Sequence, residues 1–200
     1  MKAALVLALC AACSLGGQRP NYQYFVLTSR PAQGPAPAPS GPARRTLGVD
    51  QVTIPGYLDR EQIASRTTGH HLAYSTTDRW AEPLDQAFER TLREDLGPLL
   101  APRGIQVSSR GGTPTYELAV EVLRFEQSGA GQVELRARWV LRSDQKVLDT
   151  DEARTRVAMS GGDSNAMAAA LSEAIARMAT EIADRVQKAD AAAARAPDHG

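Results

Sequence analysis

Few residues of this chain could do chemistry. Its two thiols, Cys10 and Cys13, both lie near the N-terminus. His70-His71 is the nearest thing to a metal-ligand cluster, yet no third ligand stands at a spacing such as His-x-x-x-His. Neighbouring residues on an extended loop also point in different directions, so a solvated pair is expected. Asp59 with Glu61, and Asp149 with Asp151, are carboxylate pairs without a nucleophile or a base held by a third group, which reads as turn and surface chemistry. No Gly-x-Ser-x-Gly elbow, phosphate-cradling loop or dinucleotide fingerprint occurs. The expectation is a protein that binds rather than catalyses, with no metal.

Composition narrows the partners. Two hundred residues with 42% hydrophobic content suffice for one domain of about 100 to 150 residues plus tails. Lys plus Arg equals Asp plus Glu at 23 each, so no field of one sign is available for nucleic acid. The apolar run Ala3 to Ala12 is well short of the roughly 20 residues that span a bilayer, which leaves it a targeting role.

Met1-Lys2, the apolar Ala3 to Leu9 and the small Ala11-Ala12 follow the order of a signal peptide. Cys10-Ala11-Ala12 ahead of Cys13 resembles a bacterial lipobox. That resemblance implies that residues 1–12 are a lipoprotein signal peptide and that Cys13 becomes the lipidated N-terminus. Residues 13–21 would then be a membrane-proximal tether, and the covalent lipid would stand in place of any cofactor. A buried helix over Ala3 to Leu15 fits less well, because Gly16-Gly17 and Pro20 follow directly and no polar face is present. With Cys10 removed and Cys13 acylated, the mature chain has no thiol and needs no disulfide. Each buried methylene adds about 0.8 kcal/mol, so two or three acyl chains hold such a protein essentially permanently. Ser14, rather than Asp, after the cysteine implies by the same resemblance the periplasmic face of the outer membrane.

The elements that would carry a binding surface come next. Tyr22 to Thr28 and Leu47 to Ile54 read as strands, separated by a Pro-rich loop, 31–42, expected to be mobile. Leu72 to Ser75 is a candidate short strand. Trp80, Leu84, Phe88, Leu92 and Leu96 recur every four residues and predict a helix from Thr77 or Asp78, with Pro83 in its first turn. Ile105 to Ser108, Tyr116 to Phe125, Val133 to Arg142 and much of Lys146 to Met159 read as strands. A Gly129-Ala130 turn would pair Leu118 with Leu141 and Val120 with Trp139 on one face, and Glu117 with Arg142 and Glu121 with Arg138 on the other. After Gly161-Gly162, a cap at Asp163 or Ser164 opens a helix with the stripe Met167, Leu171, Ile175, Met178, Ile182 and Val186. Residues 189–200 lack large apolar groups and are expected to be a disordered tail. The sum is an α+β domain over 22–188: a mainly antiparallel sheet with two helices packed on one face.

Tyr57-Leu58-Asp59-Arg60 with Gln62-Ile63, and then Trp80-Ala81-Glu82-Pro83-Leu84, resemble the PqiC (YmbA-like) family of ABC-transport auxiliary lipoproteins, from Tyr24 through the last helix. The resemblance implies a non-catalytic docking component that serves a lipid transport system across the periplasm and maintains the envelope. It implies a homo-oligomeric ring and a partner with MCE (mammalian cell entry) domains, with the membrane and phospholipid as further contacts. The alternative is a structural lipoprotein that steadies an outer-membrane complex without handling lipid. Trp80, Glu82 and Pro83 with Tyr57, Leu58, Asp59 and Arg60 are the candidate partner surface. Trp80 reads most simply as a core anchor, with an interface contact as the alternative, and the alanine-rich last helix as packed on its own sheet, with a neighbouring subunit as the alternative.

Overall fold

From Tyr116 to Ser143 apolar side chains alternate with charged ones, and only an extended chain puts all of the first kind on one side. The computed structural model describes residues 20–30, 45–108, 113–129 and 131–195. In chain order its elements are β1 (Gln23–Phe25), β2 (Arg45–Val49), β3 (Gln62–Thr68), β4 (His71–Trp80), α1 (Leu84–Leu100), β5 (Ile105–Ser108), β6 (Tyr116–Ser128), β7 (Gln132–Ser143), β8 (Lys146–Ala158) and α2 (Ser164–Ala193). A 3-10 turn, Ala101–Arg103, follows α1.

β6 is the hub of one mixed sheet. On one side it carries β7 and then β8, both antiparallel. On the other side its first half pairs with β2 in parallel, and β2 in turn carries β5. Its last residues, Gln127 and Ser128, pair instead with Ser65 and Arg66 of β3, which leads antiparallel to β4 and then parallel to β1. The antiparallel ladders hold most of the paired residues, but the parallel pairs make the sheet mixed rather than simply antiparallel.

The expected pairings hold: Leu118 faces Leu141, Val120 faces Trp139, Glu117 faces Arg142 and Glu121 faces Arg138. Toward the tip the ladder shifts by one residue between Val122 and Arg124. This bulge moves inward-facing positions from Tyr116, Leu118, Val120 and Val122 to Phe125, as an extra residue in one strand must. Ala130 of the expected turn lies outside the described residues. Both helices cover the inward face. Leu84, Phe88, Leu92 and Leu96 of α1 and the Met167 to Val186 stripe of α2 are buried there, with Phe88 edge-on to Phe125 at 5.2 Å. Each such side chain contributes about 1.5 to 3 kcal/mol. The alanines of α2, among them Ala170, Ala174 and Ala179, are buried within this chain.

Three expectations are corrected. β3 has no counterpart among the expected strands, because Ile63 and Ala64 are buried side by side and break the alternation, while β4 extends well beyond Leu72 to Ser75 in both directions. α1 starts at Leu84, not near Asp78, because the ladder claims Asp78, Arg79 and Trp80 as partners of β1, and Pro83 is the extended residue ahead of the helix (ψ 132°). Trp80 and Leu84 share the core from two different elements, which imitates a helical stripe. α2 runs on to Ala193 because Asp190, near its end, is buried and accepts the Tyr116 hydroxyl at 2.8 Å beside Arg45.

Candidate functional site

The two motifs meet. The Trp80 N–H donates to the Glu61 carbonyl at 2.7 Å, Gln62 pairs with Arg79, and the Tyr74 hydroxyl donates to the Tyr57 carbonyl at 3.2 Å. The segment between β2 and β3 thus lies at the end of β4, with the Arg60 guanidinium 5.0 Å from the Tyr74 ring centre. Within this junction Leu58 and Trp80 are core residues, 3% and 5% exposed. Glu82 holds Arg90 at 2.6 Å, and Arg90 also donates to the Leu27 carbonyl at 2.9 Å, so that pair fixes the start of α1 against the chain leaving β1. Asp59, Arg60 and Pro83 are exposed. The surface offered here is therefore a rim of Asp59, Arg60 and Pro83 on buried Leu58 and Trp80. His70 is exposed in the β3–β4 turn, and His71 opens β4 with its Nδ1 2.9 Å from Thr67 Oγ1.

Sequence reasoning missed the buried carboxylate beneath this segment. Glu126, fully buried, accepts the Tyr57 hydroxyl at 2.9 Å, Arg66 Nε at 2.9 Å and the Phe125 N–H at 3.0 Å. Burial, reinforced by the Glu126 charge, pushes the Tyr57 phenol up to about 12. No local signal announced it: the bulge before Phe125, visible only in the β6–β7 ladder, turns Glu126 onto the face without helices. That face is laced with ion pairs: Glu134 between Arg124 and Arg156, and Glu152 among Arg136, Arg138 and Arg154. Hydrogen bonds from Arg136 and Arg154 hold the Glu152 carboxyl down at about 2. Such a face suits polar partner recognition more than an apolar ligand.

On the opposite side, the chain after β1 is strapped across both helices. The Thr28 N–H donates to Ser172 Oγ at 3.1 Å and the Arg30 N–H to Asp95 Oδ1 at 2.7 Å. A cavity of about 230 Å³ opens between β3, β4 and the start of α2, lined among others by Ile63, Tyr74, Gln127, Ser164 and Met167. Among the described residues no group of three or more His, Cys, Asp or Glu could hold a metal, and no helix is long and apolar enough to cross a membrane. Cys13, the signal peptide and the Pro-rich loop 31–42 lie outside the described residues.

Comparison with known proteins gives a consistent picture. The family described as ABC-type transport auxiliary lipoprotein component matches residues 25–183. The intermembrane transport lipoprotein PqiC of Escherichia coli K12 is 28% identical over 138 residues, covering 69% of this chain and 71% of that protein, and its counterpart in Shigella flexneri matches equally. Protein XCC0632 from Xanthomonas campestris superposes with a TM-score of 0.70 at 21% identity, over 87% of this chain and 99% of the other. The crystal structure of an uncharacterised protein gives 0.70 at 22%, over 83% and 99%. At such identities the last two speak for the fold.

Proposed function

From the premise that this chain belongs to the ABC-type transport auxiliary lipoprotein family, we propose that it is an outer-membrane lipoprotein, anchored through Cys13 on the periplasmic face. There it acts as a docking component of an MCE-type lipid transport system. The family is one of transport accessories rather than a known enzyme family. The observation that carries the reading is the match over residues 25–183, which runs from the last residue of β1 through every following described element into α2. Likeness to relatives named for intermembrane transport supports the pathway. Arg60 on the rim and the arginine-rich sheet face offer the polar, bidentate donors that protein interfaces use, and Asp59 offers a carboxylate acceptor.

The cavity between β3, β4 and α2 is small against the roughly 300 to 1,000 Å³ of pockets that enclose a drug-sized ligand. A whole lipid does not fit in this cavity, and a docking role asks for none. This also keeps the second reading in view, a lipoprotein that steadies a complex without touching lipid.

The test has two arms. Deleting the protein should raise sensitivity to detergents, and native mass spectrometry of the detergent-extracted lipoprotein should find a closed oligomer that captures an MCE-domain protein. A strict monomer with no affinity for such a protein would end the reading. Capture without any loss of envelope integrity would favour the structural alternative.

A further inference from the structure

The exposed large apolar side chains among the described residues fall in two places: Val147 and Leu148 beside the β7–β8 turn, and Tyr22, Tyr24 and Val26 in and around β1. The second group is a stripe. Alternate residues of an extended segment share a face, and these three are 44%, 64% and 50% exposed while Leu27 is buried and Phe25 packs on the core. β1 pairs with β4 on one side and ends the sheet on the other. Under the stripe, the Arg79 guanidinium lies 4.7 Å from the centre of the Tyr22 ring and donates to the carbonyls of Ser75, Thr76 and Asp78.

The position of the stripe in the chain says what covers it. Eight residues, and so nine Cα–Cα steps, separate Cys13 from Tyr22, so an acylated Cys13 stands within about 30 Å of the stripe. We propose that Tyr22, Tyr24 and Val26 form a membrane-interface contact, by which the anchored protein rests the outer edge of its sheet on the headgroups of the bilayer that holds its acyl chains. The proposal rests on the lipid-anchor reading above. Tyrosine suits such a place because its ring is apolar and its hydroxyl stays wet. Three side chains cannot supply the roughly 800 Å² that each partner of a standard protein interface buries. Nor is a three-residue strand long enough to build a durable ladder with a second copy. A bilayer demands neither. Once the acyl chains are inserted, the contact is intramolecular, and an effective concentration on the order of millimolar populates a patch too weak to bind on its own.

The test uses the full lipoprotein with Tyr24→Cys or Val26→Cys. The Cys13 thiol is blocked by its thioether, so a nitrobenzoxadiazole label goes to the new cysteine alone. Vesicles of phosphatidylethanolamine and phosphatidylglycerol are then floated with the protein, and circular dichroism checks that each variant is folded. We expect labels at 24 and 26 to shift to the blue on vesicles. Headgroup nitroxides should quench them several-fold more strongly than a label on Arg138→Cys, on the charged face. Co-flotation with the three labels behaving alike overturns the proposal and leaves the anchor standing. A blue shift already present in detergent and unchanged on vesicles assigns the stripe to a second copy and overturns it too. Protein that does not float removes the anchor and this contact together.

Discussion

At the scale of single residues, two buried carboxylates behave in opposite ways. Glu126 has three donors on its oxygens, so removing it strands Arg66 and Tyr57. Glu126→Ala should cost about 3 kcal/mol of stability, and Tyr57→Phe, which removes one donor, about 1 kcal/mol. Thermal unfolding of the two variants side by side checks this, and equal losses would mean that the tyrosine rather than the carboxylate organises the junction. Asp95 is different: Oδ1 accepts the Arg30 N–H, while Oδ2 is buried with no hydrogen-bond partner among the described residues. Burial raises its carboxyl to about 6 against that hydrogen bond, and the charges of Glu94 and Glu173 add to the rise. The folded value lies above the unfolded one of 3.8, so this group's stabilising contribution is complete below about pH 4 and is lost as pH rises through 6. Asp95→Asn keeps an acceptor for Arg30 without the charge. It should make the fold about 2 kcal/mol more stable at pH 7.5, with the gap closing at pH 4. Urea unfolding at both pH values measures it, and a gap independent of pH would contradict the account.

At the scale of elements, the β6–β7 register was legible because apolar and ionic pairs agreed on one alignment. The bulge that ends that alignment was not, since nothing in Leu123-Arg124 marks an unpaired residue. A Glu121→Cys/Arg138→Cys chain should form a disulfide under mild oxidation, and Glu121→Cys with Arg136→Cys should not; the reverse pattern would mean a slipped ladder. α1 shows the limit of periodicity: a spacing of four from Trp80 to Leu84 looked helical, but hydrogen bonding to Glu61 and β1 had already made Trp80 a strand residue. β3 stayed hidden because its partners, β4 and the far end of β6, are set by long-range pairing that a local pattern does not encode. Gly48, in β2, carries a requirement no motif announced. A Cβ there would meet Pro114 Cγ at 2.9 Å, so Gly48→Ala should destabilise by about 1 to 3 kcal/mol. A chemical-denaturation midpoint unchanged by the alanine would show that Pro114 gives way freely.

At the scale of the whole molecule, the forked sheet with both helices on one face leaves its other face to ion pairs and its β1 edge to exposed aromatics. One side is thus spent on the core, while the other face and the β1 edge carry the exposed groups on which the proposed contacts draw. The candidate partner motifs were named from sequence because the two segments together, at this separation, carry the family resemblance. Their division into buried Leu58 and Trp80 and exposed Asp59, Arg60 and Pro83 needed three dimensions, since only the fold decides which apolar loop residue reaches the core. Membership in a lipoprotein family gives the anchor its central place in the account. The most direct test is metabolic labelling with an alkyne palmitate in cells making the natural chain or Cys13→Ala, followed by separation of inner and outer membranes. The account predicts label on the natural chain in the outer-membrane fraction and none on the variant, which should be released from the membrane; an unlabelled natural chain free in the periplasm would contradict it.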